Sequence, residues 1–194
     1  MYFKQLFKTF ELLNYKWSKN CYHLSYGLVH LPEGKMKSRE GRVIDADNLL
    51  KETIKLAKEE VKKRKIKNKI EKRAKSIALA AINYSLIKPD IQKDILFNPE
   101  KAISFEGDTG PYIQYAYARC TSILKKAKKI ENKIVKPEEP EAIELVKYLS
   151  IFPEIIKDSA TKLKPNLLAN YVYELSQKFS NFYEKCPCIN EPNK

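Results

Sequence analysis

A glycine-containing loop leads into a long helical pattern at residues 104–124, which read SFEGDTGPYIQYAYARCTSIL. Gly107 and Gly110 permit a compact turn, because glycine adopts backbone conformations that are strained for other residues. Pro111 suits the first position of a helix, where its missing N–H would have no intrahelical partner. The sequence therefore predicts a loop over 104–110 and a long helix from Pro111 to Ile130.

Apolar residues at helical spacing predict further helices on both sides of this segment. The pattern indicates helices over residues 2–13, from a cap at Asp45 or Asp47 to about residue 64, and over 76–87, ending before Pro89. Three more helices are predicted within residues 136–152, 152–163 and 164–185. The predicted fold class is mainly α, with a helical bundle in the second half.

One segment favours a strand. Residues 21–31, CYHLSYGLVHL, alternate in polarity and are rich in Tyr, Leu and Val. A glycine-flanked basic loop, PEGKMKSREGR, follows at 32–42. The chain has only five glycines in 194 residues, which disfavours an all-β sandwich or barrel.

The charge is strongly positive and unevenly distributed. The net charge is +13, and residues 1–97 contain 22 Lys/Arg against 11 Asp/Glu, a net +11, so the second half contributes only +2. This asymmetry is typical of proteins that bind a polyanion, either nucleic acid or an anionic membrane face, although the lysine bias of an AT-rich genome gives the same composition. No apolar run approaches the length of a membrane span, which argues against an integral membrane protein.

The densest basic run is KKRKIKNKIEKRAK, at residues 62–75, with nine Lys/Arg and one acid. Ile66 and Ile70 keep helical spacing, so the run is predicted to be a charged helical connection into the apolar helix at 76–87. Lys63, Lys65 and Lys69 are candidates for contacts with RNA phosphates. A solvated helix face is the other main interpretation, and a nuclear-localisation patch ranks last.

The four cysteines do not form a paired framework, so we expect a reducing, cytoplasmic location. Cys186 and Cys188 are separated by one residue and lack a second Cys/His pair at zinc spacing, which disfavours a metal site. His23 and His30, the only histidines, have the spacing of neither a metal pair nor a nucleophile triad.

A loop carrying Lys35, Lys37, Ser38 and Arg39 between glycines has the chemistry to fold over a polyphosphate and neutralise charge on a leaving group. Basic loops after strands are common, so charge alone does not decide this function. The order of residues is more specific. GKMKSREG resembles the Lys-Met-Ser-Lys signature loop of class I aminoacyl-tRNA synthetases, particularly its arginyl form, which Met36, Arg39 and Gly41 match.

Two more segments carry the same resemblance in the same order. Residues 104–124 resemble the segment by which arginyl-tRNA synthetases enter their helical anticodon-binding domain, and LLANYVYELSQKFSNFYEKCP, at 167–187, resembles a later helix of that domain. With VIDADNLL at 43–50, the resemblance covers nearly the whole chain. On these motifs the chain is identified as a member of the arginyl-tRNA synthetase family.

The resemblance implies a tail of the Rossmann-type class I catalytic domain at 1–72 and a helical-bundle anticodon-binding domain at 73–194, truncated at its C-terminus. It implies ATP and arginine as substrates, Mg²⁺ accompanying ATP, and tRNA(Arg) as partner. The complete enzyme would form arginyl-adenylate and then esterify the terminal adenosine of its tRNA. Nothing matches the family's His-Ile-Gly-His signature, so we expect a C-terminal fragment that is inactive alone. The alternatives are a stand-alone tRNA-binding module or a subunit of a split synthetase.

The resemblance also assigns roles to residues. Lys37 replaces the serine of the general signature and Ser38 its second lysine, so Lys35 and Lys37 are both candidates for the catalytic lysine. The expected ATP-binding residues are Met36, Ser38, Arg39 and, by position, His23, for which a packed strand histidine is the alternative. The expected tRNA-binding residues are Tyr112 first, then Tyr115 and Gln114, with Arg119 on the same helix face. Packing within the bundle is the competing interpretation for each tyrosine.

Overall fold

The computed structural model describes residues 2–31, 45–64, 68–127, 136–186 and 188. The predicted mainly α fold is confirmed. The α-helices are α1 (Tyr2–Leu12), α2 (Ala46–Lys63), α3 (Ile70–Ile87), α4 (Pro99–Ala102), α5 (Gly110–Lys126), α6 (Pro140–Ser150), α7 (Phe152–Thr161) and α8 (Pro165–Lys185). A 3₁₀ helix occupies Lys16–Asn20, and two short strands are β1 (Val29–His30) and β2 (Ile95–Leu96). No helix within these ranges is long and apolar enough to span a membrane.

The N-terminal helix α1 packs against the 3₁₀ helix that follows it. Asn14 reverses the chain between them with a left-handed φ of 59°, a conformation that asparagine tolerates better than most residues. The Phe10 ring then lies 5.0 Å from the Trp17 ring. None of the residues of α1 is buried, so much of the apolar surface of this segment faces outward.

The predicted strand over residues 21–31 is wrong in length. Strand β1 covers two residues and pairs with β2 in parallel, with Val29 opposite Ile95 and His30 opposite Leu96. The two residues before β1 use their amides elsewhere: Gly27 donates to the carbonyl of Ile91 at 2.8 Å, and Leu28 to Oδ1 of Asp94 at 2.8 Å. Part of the alternating pattern therefore contacts a turn as well as a partner strand.

The α2–α3 pair contains one core of the described residues. Small side chains meet where the helices cross, so that the backbones approach closely; the buried members are Ala57, Val61, Ala74, Ile77 and Ala78. The second core surrounds Phe97, whose side chain is 1% exposed, together with Leu31, Ala81, Ala102 and Ile103. Asn98 caps α4 beside this core by accepting a hydrogen bond from the Lys101 amide at 3.1 Å.

The spacing of apolar residues predicted a helical connection over the basic run at 62–75. The structure shows that the run is not one continuous helix. Helix α2 ends at Lys63, and Lys69 adopts a left-handed φ of 54° before α3 begins at Ile70. The run is therefore divided between the end of one helix and the start of the next. The side-chain cap predicted for α2 is absent as well, since Asp45 occupies the N-cap position without a side-chain hydrogen bond.

Helices α5 to α8 form the predicted bundle, with α8 packed against α5, α6 and α7. Tyr171 on α8 donates a hydrogen bond to the carbonyl of Tyr148 on α6 at 3.1 Å, and their rings stack at 4.8 Å. Lys178 and Lys185 on α8 form ion pairs with Glu144 and Glu141 on α6. Aromatic stacking and paired charges thus fix the direction of α8 relative to α6.

Candidate nucleic-acid interface

The loop before α5 is tied to the end of α3. Asp108 accepts hydrogen bonds from the Tyr84 hydroxyl and from Nζ of Lys88, the latter at 3.0 Å. Burial of Tyr84 and its bond to Asp108 raise the pKa of this tyrosine well above its ordinary value. Gly107 adopts a left-handed conformation in this loop, with φ of 77°. These contacts fix where α5 begins.

Gly110 lets α5 approach the backbone of α3. A Cβ at this position would lie 2.1 Å from the carbonyl oxygen of Ala80, which is far inside van der Waals contact. Thr109 caps the helix: its hydroxyl donates to the Ser104 carbonyl at 2.6 Å and accepts from the Tyr112 amide at 3.3 Å. The direction of α5 is therefore set at its first turn.

Tyr112 and Gln114 face other helices. The Tyr112 hydroxyl donates to Oγ of Ser180 on α8 at 3.2 Å, and its half-buried ring lies 5.6 Å from the Tyr173 ring. Gln114 donates from Nε2 to the carbonyl and Oγ of Ser76 on α3, at 3.2 and 3.1 Å. Both side chains contribute to helix–helix packing, which was the competing interpretation for Tyr112. Contact of either side chain with tRNA stays a prediction.

Tyr115 and Arg119 instead line an open cleft. The Arg119 guanidinium lies 4.4 Å from the centre of the Tyr115 ring and 5.0 Å from that of Tyr183 on α8, and it donates to the Tyr115 hydroxyl at 3.1 Å. Both tyrosines stay accessible, Tyr115 at 41% and Tyr183 at 40% exposure. The cleft holds about 300 Å³ and Lys126 also lines it. We call the set Tyr115, Arg119, Lys126 and Tyr183 the aromatic cleft.

Sequence reasoning missed Tyr183. The apolar stripe predicted for α8 consists of Leu167, Leu168, Tyr171, Leu175, Phe179 and Phe182, and Tyr183 is the next residue. Its nearness to Arg119 depends on how α8 crosses α5, which helical spacing does not encode. The available signal was the FY pair inside a segment that resembles the anticodon-binding domain.

The basic run has a mixed environment in the described residues. Lys63 at the end of α2 is mostly exposed and 3.7 Å from Glu60, and Lys69 is exposed just before α3. The Arg64 guanidinium pairs with Glu60 at 3.3 Å and lies 4.1 Å above the Phe105 ring, while Glu71, the one acid of the run, pairs with Lys58 outside it at 2.6 Å. Some of the charge is thus compensated within the chain. Lys65 lies outside the described residues.

The predicted ATP-loop residues Lys35, Met36, Lys37, Ser38 and Arg39 lie outside the described residues. His23 is exposed and precedes β1, so the alternative of a packed strand histidine is wrong. Its ring stacks on Phe3 at 3.8 Å. The other histidine, His30, lies in β1 and contacts Oδ2 of Asp94 through Nε2 at 3.1 Å.

The cysteines and acids of the described ranges offer no group of three or more His, Cys, Asp or Glu that could hold a metal ion. Burial raises the pKa of the Cys120 thiol. Burial and the neighbouring thiols of Cys186 and Cys120 raise the pKa of Cys188. These two thiols are therefore protonated, weak nucleophiles near neutral pH.

Two sequence families match the chain in succession. Residues 1–98 match "tRNA synthetases class I (R), catalytic domain", and residues 113–194 match "DALR anticodon binding domain". Among curated proteins, the chain is 37% identical to the arginine–tRNA ligase of Clostridium botulinum, over 98% of this chain and 34% of that protein. It is 42% identical to the arginine–tRNA ligase of Treponema denticola, over 97% of this chain and 34% of that one.

Solved structures give the same match. The arginyl-tRNA synthetase of Thermus thermophilus superimposes with a TM-score of 0.83 at 31% identity, covering 91% of this chain and 31% of that one. The arginyl-tRNA synthetase of Plasmodium falciparum gives 0.72 at 26% identity, with 87% and 29% covered. The chain spans about a third of the length of the curated relatives it matches.

Proposed function

The chain belongs to the class I arginyl-tRNA synthetase family, and from this membership we propose that it takes part in the ligation of arginine to tRNA(Arg). Its helical bundle binds the anticodon stem-loop, and the loop at 32–42 contributes to the ATP site. The proposal keeps the division between the two domains at residue 72, which lies inside the continuous helix α3.

One observation carries the RNA-binding part: the aromatic cleft. Two accessible tyrosine rings lie within 5.0 Å of one guanidinium, and Lys126 adds a cation to the lining of the cleft. An unstacked RNA base stacks on such rings and on the guanidinium plane, while lysine neutralises its phosphate. Tyr112 and Gln114 are bonded to neighbouring helices, whereas the Tyr115 and Tyr183 rings are accessible beside Arg119, so these three residues are the stronger candidates for base contact.

Electrostatics supports a nucleic-acid partner. The net charge of +13 attracts polyanions over the Debye length, and Lys63 and Lys69 are exposed at the α2–α3 connection. Contacts of these lysines with phosphates would release counterions and make binding salt-dependent. Lys65 belongs to the same proposed contact by its place in the sequence.

For the ATP half, Lys35 and Lys37 are proposed to neutralise charge on the phosphates while arginyl-adenylate forms, with Met36, Ser38 and Arg39 completing the loop. His23 keeps its proposed position near the adenine. Mg²⁺ would arrive with ATP, and we assign it no protein ligand; the described residues contain no group of three or more His, Cys, Asp or Glu that could hold a metal ion. The cytoplasmic location also remains a prediction, from the cysteine pattern.

The experiment is a fluorescence-anisotropy titration of the 194-residue chain with a tRNA(Arg) transcript at several salt concentrations. Tyr115→Ala and Tyr183→Ala should each weaken binding about 5- to 150-fold, since one base stack contributes roughly 1–3 kcal/mol. The salt dependence should hardly change. Lys63→Gln with Lys69→Gln should instead lower the slope of log K against log salt for every tRNA tested.

Tyr117→Ala is the matched control. Tyr117 also lies on α5 and is 73% exposed, but it does not line the cleft. If Tyr117→Ala weakens binding as much as Tyr115→Ala does, the cleft is not the RNA site. If the chain binds tRNA(Arg) no better than a tRNA for another amino acid, the anticodon part of the proposal is wrong. Circular dichroism of each variant separates lost binding from lost folding.

A second candidate function is that of one subunit in a split synthetase. The observation that favours it is the exposed apolar face of residues 2–28, with Tyr2, Phe3, Leu6, Leu12, Leu13, Tyr15, Trp17, Tyr22, Leu24, Tyr26 and Leu28 all accessible. So many exposed apolar side chains within one segment are typical of a protein interface. The proposed partner is a polypeptide equivalent to the N-terminal two-thirds of the relatives.

Trp17 is the only tryptophan of the chain and is half exposed, so it reports on this face. Adding the purified N-terminal two-thirds of a relative should shift Trp17 emission to shorter wavelength and produce co-elution in gel filtration. An unchanged spectrum together with separate elution would refute the split-subunit function. Neither result depends on tRNA binding.

A further inference from the structure

The turn after α3, residues 90–94, is bonded to the segment that contains β1. Gly27 donates its amide to the carbonyl of Ile91 at 2.8 Å, and Leu28 donates to Oδ1 of Asp94 at 2.8 Å. Gln92 donates from Nε2 to Oγ of Ser25 at 3.2 Å. We call residues 90–94 the junction turn, because this turn bonds both to the β1 segment and to the residue that precedes α8.

The contact between the junction turn and the β1 segment is close. A Cβ on Gly27 would lie 2.2 Å from the carbonyl oxygen of Lys93, so the two backbones touch where glycine has no side chain. Immediately beyond, the amide of Ile95 donates to the Leu28 carbonyl and that of Phe97 to the His30 carbonyl, both at 2.8 Å. A movement of the junction turn therefore moves β1 with it.

The second direction leads to the bundle. Nζ of Lys164 donates to Oδ2 of Asp90 at 2.8 Å, and Lys164 is the residue directly before α8. Oδ1 of the same carboxylate accepts the amide of Gln92 at 3.2 Å, which holds the Asp90 side chain in the turn. The hydrogen bond from Lys164, followed by that from Gln92, lowers the pKa of Asp90, so this carboxylate is charged at neutral pH.

We propose, on the basis of the proposed function, that Asp90 is a positioning residue. It couples the binding of RNA in the aromatic cleft to the position of β1. Helix α8 is continuous from Pro165 to Lys185, with Tyr183 near its end and Lys164 at its start. RNA that restrains α8 restrains the Lys164 ammonium, and the ion pair passes the restraint to the junction turn. Strand β1 leads to Leu31, the last described residue before the loop that carries Lys35 and Lys37.

The size of the link is limited by the pair that makes it. Lys164 and Asp90 are partly exposed, at 44% and 29% of their side-chain surface, and such a pair stabilises its geometry only modestly. RNA should therefore slow amide exchange at Gly27 and Leu28 by a factor of about two to five. By reciprocity, the same factor should appear in tRNA affinity when the β1 segment is restrained.

The test is amide hydrogen exchange by NMR on the 194-residue chain, with and without saturating tRNA(Arg) transcript. Lys164→Met removes the ammonium and should abolish the slowing at Gly27 and Leu28. The exchange rates of the amides of α8 should be unchanged. Lys164→Arg keeps a cation and should restore it. Lys162→Met is the matched control. Lys162 follows α7 directly and pairs with Asp158 of that helix at 2.7 Å, so its ammonium is engaged away from the junction turn.

A pH titration separates positioning from general stability. In Lys164→Met the midpoint of the Asp90 carboxyl carbon shift should rise toward the ordinary aspartate value, and in Lys162→Met it should not move. If RNA binds but leaves exchange at Gly27 and Leu28 unchanged, or if Lys164→Met keeps the slowing, the link is refuted and the proposed function stands. If tRNA(Arg) does not bind at all, both are refuted.

Discussion

Replacing Gly110 with alanine tests the contact that sets the direction of α5. The added Cβ would lie 2.1 Å from the Ala80 carbonyl oxygen, 2.5 Å from its carbon and 3.0 Å from Cβ of Tyr84. The first two atoms belong to the backbone of α3 and cannot rotate away. Relief therefore requires α5 and α3 to separate by about an ångström or more, since non-bonded carbon atoms prefer about 3.5–4.0 Å.

The cost follows from what spans this interface. Overpacking of a well-packed contact costs about 1–3 kcal/mol. Separation also stretches the bonds from Gln114 to Ser76 and from Tyr84 to Asp108, and a typical hydrogen bond contributes about 0.5–1.5 kcal/mol. Any gain in helix propensity is under about 1 kcal/mol. We expect Gly110→Ala to lower the free energy of unfolding by about 2–4 kcal/mol.

The assay is urea denaturation followed by circular dichroism at neutral pH. Gly107→Ala is the control: nothing lies within 4 Å of its added Cβ, but its φ of 77° is unfavourable for alanine, which costs about 1 kcal/mol. The reasoning predicts that the Gly110 variant is the less stable of the two by a clear margin. A Gly110→Ala protein within about 0.5 kcal/mol of wild type would show that the α3–α5 contact is loose.

Two further outcomes are expected. Thr109→Ala removes the cap of α5 and should lower the free energy of unfolding by about 1–2 kcal/mol in the same urea assay, and no change would mean that the cap does not hold this helix start. The hydrogen bond from Lys185 lowers the pKa of Glu141, so the stability from this pair is present above the ordinary glutamate value and is lost as pH falls through the lower folded pKa. Lys185→Met should therefore reduce the fall in the urea midpoint between pH 6 and pH 3, and an identical fall in both proteins would contradict this origin.

The helices were largely predictable because their signals are local. Apolar spacing and Pro111 defined α1 and α5 to within a few residues, and prolines at the starts of α6 to α8 agree with their N-termini. Each of these signals acts through the backbone of the residue itself or its neighbours on one turn. A single sequence contains that information directly.

The strand and the basic run failed because distant partners decided them. Residues 21–28 alternate, yet Gly27 and Leu28 bond to the turn at 90–94, which lies far along the chain. In the basic run, spacing alone predicts continuity, but α3 folds back on α2 and needs the reversal that Lys69 makes with its left-handed φ. Local periodicity does not reveal where a helix must stop in order to pack on its neighbour.

The aromatic cleft shows the same limit at a functional site. Tyr112 and Tyr115 are three residues apart, so their side chains differ by about 60° around the helix axis. That angle is enough for α8 to cover Tyr112 through Ser180 and leave Tyr115 accessible beside Arg119. A ranking of the tyrosines on α5 for RNA contact therefore depends on where α8 lies, and α8 itself contributes Tyr183. A double variant, Tyr115→Ala with Tyr183→Ala, should consequently lose less tRNA affinity than the sum of the single losses if both rings stack on one base.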